Sequence, residues 1–305
     1  MIELRVQAST PPMTWSRFGK KTPPYSIALD GFLNCGPKLD LDAPRANYDH
    51  HHGVSRLETR ATCAQVLMAV RNGLYETFKD EHGQPHAFAY VNDCDQDVCT
   101  AWTVLNNPIH STNPHNVKLN RLVDTEDKLD STAGAYPFDP NLDFLREIAW
   151  VYEPYTQFRL SGGLEQRSDA AFKSIIQDVE SRILKYLFDK GDEIPLDLNY
   201  DIKSNFNDWV LVDEVGAQAR IAMFHSGIKV FCSFKDIGNG RWKYAIGKMS
   251  EYFRFNMPRI LKALQVAEGR QTDQWGGATT VIGSPRIFGS KQNPDEVTRI
   301  IKENK

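Results

Sequence analysis

The densest chemistry in the sequence is Tyr48-Asp49-His50-His51-His52-Gly53, a carboxylate followed by three consecutive imidazoles. Both group types bind cations and move protons, and packing alone gives no reason to gather four of them in one loop. Two further clusters flank this one. Upstream, Ile27-Ala28-Leu29 runs into Asp30-Gly31; downstream, His86 to Val91 runs into Asn92-Asp93-Cys94-Asp95-Gln96-Asp97. Each flank reads as a short buried strand ending in carboxylates. A third acidic group, Asp124-Thr125-Glu126-Asp127-Lys128-Leu129-Asp130, lies further on.

Oxygen and imidazole donors without thiol pairs suit manganese, magnesium, iron or zinc, and the excess of oxygen favours manganese or magnesium. Carboxylates that converge without compensating Lys or Arg repel one another in a cleft of reduced dielectric, and divalent ions relieve that repulsion. Two ions roughly 3.5–4 Å apart stabilise both oxygens of an in-line displacement at phosphorus. Hydrolysis of a phosphoester or phosphoanhydride is the chemistry expected.

The elements that position these groups can be read from the pattern. Residues 7 to 25 carry Pro11, Pro12, Pro23 and Pro24, which predicts an irregular arm rather than a helix. Tyr25 to Leu29 and His86 to Val91 predict strands whose C-terminal ends carry the acids, the end at which open α/β sheets bind ligands. Thr59 to Phe78 has apolar residues near helical period, and Val98 to Leu105 predicts a helix closed by Asn106-Asn107-Pro108. Strand, acidic loop and helix thus occur twice, which predicts an α/β doubly wound parallel sheet over residues 1–195. Residues 141 to 153 and 168 to 190 read as amphipathic helices that connect it to the remainder of the chain.

From Trp209 the pattern changes. Residues 209–212, 219–224, 229–234 and 242–247 read as strands, and Met257 to Ala267 reads as a helix. A smaller α+β domain over 196–305 is expected. In its tail, Gly276-Gly277 reads equally as a turn or as backbone approaching an anion, with Ser284 and Arg286 as further donors. Trp209, Phe224, Phe231, Trp242 and Trp275 read first as core and second as stacking surfaces for bases.

With 305 residues, 36 Lys plus Arg against 39 Asp plus Glu, and a net charge of −3, the chain has no whole-molecule attraction for long polyanions or membranes. Its apolar runs are far shorter than a bilayer span, and its first residues lack a signal-peptide pattern, so a cytoplasmic protein is expected. Cys35, Cys63, Cys94, Cys99 and Cys232 are odd in number and lack CxxC spacing, which argues against disulfides or structural zinc.

Asp49-His50-His51, after a strand-end Asp30 and before a helix, resembles the signature of the DHH phosphoesterase superfamily. Asp93-Cys94-Asp95-Gln96-Asp97 is similar to that family's Asp-x-Asp motif. The strand at 242–247, the helix after it and Gly276-Gly277 resemble its smaller substrate-binding domain. The pattern departs in three places. The Asp-x-Asp motif comes after Asp-His-His instead of preceding it, which implies a circularly permuted sheet. Val91 stands where a histidine would lead that motif, and Ala278-Thr279-Thr280 stands where another would come after the glycines.

The resemblance implies that Asp30 bridges two manganese or magnesium ions, that His50 binds one, and that His51 faces the substrate or leaving group. Asp95 and Asp97 would each serve a different ion, with Asp124 or Asp127 completing the second. Asp49 would support the histidines from behind, and Gly276, Gly277 and Arg286 would hold a substrate phosphate. A small nucleotide or short oligonucleotide is the substrate expected, and a homo-oligomer is left open. A second reading is a non-catalytic nucleotide or phosphate-binding module with one metal site lost, for which Val91 is the main support.

Overall fold

The computed structural model describes residues 1–305, and its secondary structure is mixed α/β. The chain divides into two compact units, one of residues 1–131 and 143–195, the other of residues 132–142 and 196–305. In order, the first unit contains β1 (Ile2–Val6), α1 (Trp15–Lys21), β2 (Ser26–Leu29), β3 (Lys38–Asp40), β4 (Arg45–Tyr48), α2 (Thr62–Arg71), α3 (Leu74–Thr77) and β5 (Ala87–Val91). It continues through α4 (Gln96–Asn106), α5 (Pro108–Ser111), α6 (Val117–Ser131), α7 (Phe144–Val151), α8 (Glu153–Leu160) and α9 (Asp169–Leu187).

Its five-stranded sheet has the order β1-β5-β2-β4-β3. The β1, β5, β2 and β4 strands run parallel, while β3 is antiparallel to β4 at the edge, so the sheet is mixed and not wholly parallel as expected. Side chains alternate between faces as a pleat requires. Ile27, Leu29, Ala87, Ala89 and Val91 join one apolar cluster with α2, α4, α6 and α9. Ala28 and Tyr90 join another with Phe18 of α1, Phe32 and Leu33.

Two expectations are corrected here. Residues 7 to 25 are not a wholly irregular arm, because α1 fits between the proline pairs. Thr14 caps its start by accepting from the Arg17 N–H, and Phe18 is fully buried. The prolines bound this helix and do not break it. The helix expected over 59–78 divides into α2 and α3 at Asn72-Gly73, where Gly73 has φ +98°.

The second unit contains β6 (Tyr200–Asn205), β7 (Val210–Glu214), α10 (Ala219–His225), β8 (Val230–Gly238), β9 (Arg241–Lys248), α11 (Met257–Glu268), β10 (Gly276–Gly277), β11 (Val281–Gly283) and α12 (Pro294–Asn304). Its sheet order is β10-β11-β9-β8-β7-β6. The run 219–224, expected as a strand, is helix α10. The cause is topological: β7 and β8 are parallel neighbours, and a parallel pair needs a crossover between its strands. Leu211, Val230 and Cys232 pack with α11 and α12, while Val212 and Phe231 pack with Met223 and Phe224 of α10.

Gly277 is fixed by close approach. It has φ +142°, and a Cβ there would lie 2.3 Å from the Val281 carbonyl oxygen and 2.6 Å from Ile282 Cα. Gly277→Ala is therefore expected to destabilise the second unit by about 1–3 kcal/mol, as overpacking against backbone does. Urea unfolding measures it, and an unchanged midpoint would show that the hairpin opens freely.

Candidate metal centre

Three neighbouring parallel strands deliver the first groups of the site. Leu29 of β2 pairs with Tyr48 of β4, so Asp30 and Asp49 sit just past strand ends that lie side by side. β5 pairs with β2 on its other side, and its end leads to Asp95 and Asp97. The Asp30 N–H donates to the Tyr48 carbonyl at 2.9 Å, carrying the ladder one residue past β2. The chain then turns sharply, with Asp30 at φ +46° and Gly31 at φ +71°. Asp tolerates this left-handed region better than most residues, and glycine adopts it without penalty.

Asp49 is buried and organises the histidine loop. Its Oδ1 accepts the Gly31 N–H at 3.1 Å and the His51 N–H at 2.9 Å, and its Oδ2 lies 3.3 Å from His52 Nδ1. His50 is buried at 1% exposure, whereas His51 leaves 31% of its side chain accessible. Asp97 lies in the first turn of α4 yet binds the start of α2. Its Oδ2 and Oδ1 accept the Thr62 and Cys63 N–H groups, each at 2.7 Å, replacing the side-chain cap that Ala61 cannot supply. The Thr62 hydroxyl donates to Asp30 Oδ1 at 3.0 Å. These contacts fix Asp30 and Asp97 against the same helix terminus.

Two sets of donor atoms converge: Asp30 with His50 and His51, and His50 with Asp97 and Asp130, each set within 4.8 Å. His50 Nε2 lies 2.6 Å from Asp130 Oδ2, 3.5 Å from Asp30 Oδ1 and 3.8 Å from Asp97 Oδ2. His51 Nε2 lies 2.9 Å from Asp30 Oδ1. Neither buried ring nitrogen of His50 makes a well-formed hydrogen bond, Nε2 having only its short ion-pair contact with Asp130. A buried imidazole is seldom left so, and three carboxylate oxygens around an unpartnered Nε2 fit a cation. The donor set of carboxylates and imidazoles suits manganese, magnesium, iron or zinc.

The remaining expected residues lie elsewhere. Asp95 caps α4 by accepting the Val98 N–H at 2.9 Å and belongs to neither set. Asp124 pairs with Lys128 at 2.6 Å on the exposed side of α6. Asp127 accepts two bonds from Arg60, at 2.8 and 2.9 Å, and one from the Ala61 N–H at 2.6 Å. The carboxylate of α6 that reaches the cluster is Asp130. In the second unit, the Ser284 hydroxyl accepts the Tyr244 N–H at 2.9 Å, Gly276 and Gly277 form the short strand β10, and Arg286 is exposed. Val91 is fully buried in the core of the first unit. No protein-family model matches the chain, and no curated protein matches it.

The electrostatics are those of carboxylates short of positive charge. Burial, then the charges of Asp30, Asp130 and Asp95, pushes Asp97 well above the usual carboxylate range, and Asp95 is raised similarly. Glu126, at 2% exposure with an unpartnered Oε2, is raised by burial and by Asp130 and Asp95. Burial alone would raise Asp130 too, but Arg56 and His50 bring it down. Asp30 is likewise lowered by His51 and His50 against its burial. The Asp30 charge lifts His51, against burial, to about 9.

The signs give a pH dependence. Since His51 is raised in the folded state, its pairing with Asp30 stabilises the metal-free protein fully below pH about 6.5 and is lost as pH rises through about 9. Asp30 is lowered, so its share is present above the ordinary carboxylate range and lost as pH falls through its lowered value. A cation held by His51 must displace its proton. Manganese affinity at the position formed by Asp30 and His51 is therefore expected to rise by up to about tenfold per pH unit towards pH 9 and then level off. Calorimetry in buffers of different ionisation enthalpy counts that proton, and binding without proton release at pH 7 contradicts the assignment.

Proposed function

We propose that this protein is a metal-dependent phosphohydrolase that cleaves a phosphoester or phosphoanhydride of a small nucleotide or short oligonucleotide. The observation that carries the reading is the convergence of Asp30, His50, His51, Asp97 and Asp130 around an unpartnered, buried imidazole nitrogen. Manganese or magnesium is the ion favoured by a set with three carboxylates. His50 Nε2 has a single lone pair, so the two donor sets cannot both use it at once. A first ion is read as held by His50, Asp97 and Asp130 with Asp30, and a second as resting on Asp30 and His51. Bound there, divalent ions would neutralise phosphoryl charge and make a water nucleophilic near neutral pH.

In this reading Thr62 and the α2 N-terminus hold Asp30 and Asp97 in place, and Asp49 holds the histidine loop. His51 faces substrate, which its exposure supports. The first unit is read as a DHH-type doubly wound catalytic domain over 1–195 and residues 196–305 as a smaller substrate-binding domain. Arg286 and the Gly276-Gly277 backbone are its proposed phosphate contacts. Asp95 stays a proposed ligand of the second ion, since rotation of its carboxyl would free it from the α4 cap. No helix is long and apolar enough to cross a membrane.

The test is manganese-dependent hydrolysis of short oligonucleotides, cyclic dinucleotides, 3'-phosphoadenosine phosphate and pyrophosphate. Turnover of at least one, abolished by chelation, is expected. Inactivity on all of them by protein shown to contain metal would leave the non-catalytic binding module, which the buried Val91 favours, as the better account.

A further inference from the structure

The second unit carries an exposed aromatic ring on a braced turn. Of the aromatics that the sequence suggests for stacking on bases, Trp209, Phe224, Phe231 and Trp275 are buried in its core. Phe288 is not: it keeps 52% of its surface exposed, in the turn 285–289 between β11 and α12. The turn is held on both sides. The Asp273 carboxylate accepts the Ile287 N–H at 3.2 Å and the Phe288 N–H at 2.9 Å, and just past the turn Ser290 and Trp242 exchange two backbone hydrogen bonds, at 2.7 and 3.0 Å. The Arg270 guanidinium lies over the Phe288 ring, its central carbon 4.4 Å from the centroid, and its Nη1 is buried without a hydrogen-bond partner. Arg286, in the same turn, is exposed.

From this arrangement we infer that Phe288, backed by Arg270, is a stacking platform for a nucleobase, with Arg286 beside it for the attached phosphate. The inference rests on the reading of residues 196–305 as a substrate-binding domain and adds what that domain recognises, the base of a nucleotide, which makes pyrophosphate the poorest of the proposed substrates. The physical argument is preorganisation. Asp273 fixes the backbone and the guanidinium covers part of the ring before any ligand arrives, so little conformational freedom is left to lose on binding. Stacking on such a ring tolerates any base, because every base has a π-face. The charges select the ligand further. A guanidinium on the ring and a second arginine in the same turn favour a partner that is flat and anionic at once, which a nucleotide is. A purely apolar partner would gain nothing from the two arginines.

Calorimetric titration of the full chain, in the presence of manganese, with AMP and with ribose 5-phosphate tests this directly, since the second ligand carries the phosphate without the base. Wild type should bind AMP at least about fivefold more tightly than ribose 5-phosphate, the smallest gain expected of one stacking aromatic. Phe288→Ala should bring AMP down to the level of ribose 5-phosphate and leave ribose 5-phosphate unchanged, whereas Phe288→Trp should keep the preference. Arg286→Gln should weaken both ligands alike. Thermal unfolding shows that each variant is folded, as an exposed position allows. No AMP binding in wild type, equal affinities for the two ligands, or AMP affinity unchanged in Phe288→Ala would overturn the platform while leaving metal-dependent hydrolysis of a base-free phosphate standing. Loss of self-association in Phe288→Ala with AMP affinity unchanged would give the turn to contact between copies instead. A base preference that depends on Phe288, in a chain that hydrolyses none of the phosphates offered, would keep the platform and overturn the hydrolase.

Discussion

Asp30→Asn is expected to lower manganese affinity by more than about a hundredfold while leaving a folded chain. Loss of a supporting residue around a metal ligand typically costs 10–100-fold, and loss of a charged ligand costs more. Asp30 is the residue on which the cluster turns. Its Oδ1 receives the Thr62 hydroxyl at 3.0 Å and stands 2.9 and 3.5 Å from the Nε2 atoms of His51 and His50. Asparagine keeps an acceptor for Thr62 but gives up the charge pairing with His51, so the metal-free variant should unfold somewhat earlier than wild type near neutral pH while remaining folded. Calorimetric titration with manganese measures the affinity and thermal unfolding measures the fold. Unchanged affinity would remove Asp30 from the ion's contacts.

Adding manganese to the chelated protein is expected to raise its Tm by roughly 10 °C at a thousandfold excess over Kd. An ion that binds only the folded state contributes about 4 kcal/mol at that excess, and for a domain of this size each kcal/mol moves Tm by about 2–4 °C. The sign comes from the cluster itself. Without an ion, Asp95 and Asp97 are pushed well above their ordinary range by burial and by the charges of Asp30 and Asp130. With an ion, that repulsion becomes attraction. Scanning calorimetry with manganese, and with chelator in its place, makes the comparison. A Tm indifferent to manganese would mean that the acids are balanced by protonation alone.

Much of this centre is legible in the sequence, and the limits have physical causes. Asp30, Asp49 and Asp97 stand out because a short apolar run ending in carboxylates is what a parallel strand presents at its ligand-binding end. Asp130 is harder to distinguish from Asp124 and Asp127, which were expected in its place, because all three lie in one acidic run. The signal that separates them is helical period: Leu119, Leu122, Val123 and Glu126 form the buried stripe of α6, and Asp130 continues it at i+4 from Glu126. Asp124 falls on the opposite face and finds Lys128 instead. No comparable signal exists for Arg56 and Thr62. Their roles come from contacts 74 and 32 residues away in sequence, with Asp130 and Asp30, which no local pattern encodes.

The fold divides in the same way. β2, β5, α4, α9, β9 and α11 can be read from period and punctuation, while α10 reads wrongly as a strand because Ala219 to Phe224 is apolar enough for either element. Its helical state is set by the parallel pairing of β7 with β8, a non-local fact. Gly277 shows the reverse case. The turn reading and the anion reading are equal in sequence, and the Val281 carbonyl oxygen, which an added Cβ would meet at 2.3 Å, gives this glycine a structural reason sufficient in itself.

The most direct measurement of the central claim is an anomalous difference map from crystals grown with manganese and recorded at its absorption edge. The account predicts a peak within coordination distance of His50 Nε2 and of carboxylate oxygens from Asp97, Asp130 and Asp30. A map with no peak there, at manganese concentrations that saturate binding in solution, would contradict it.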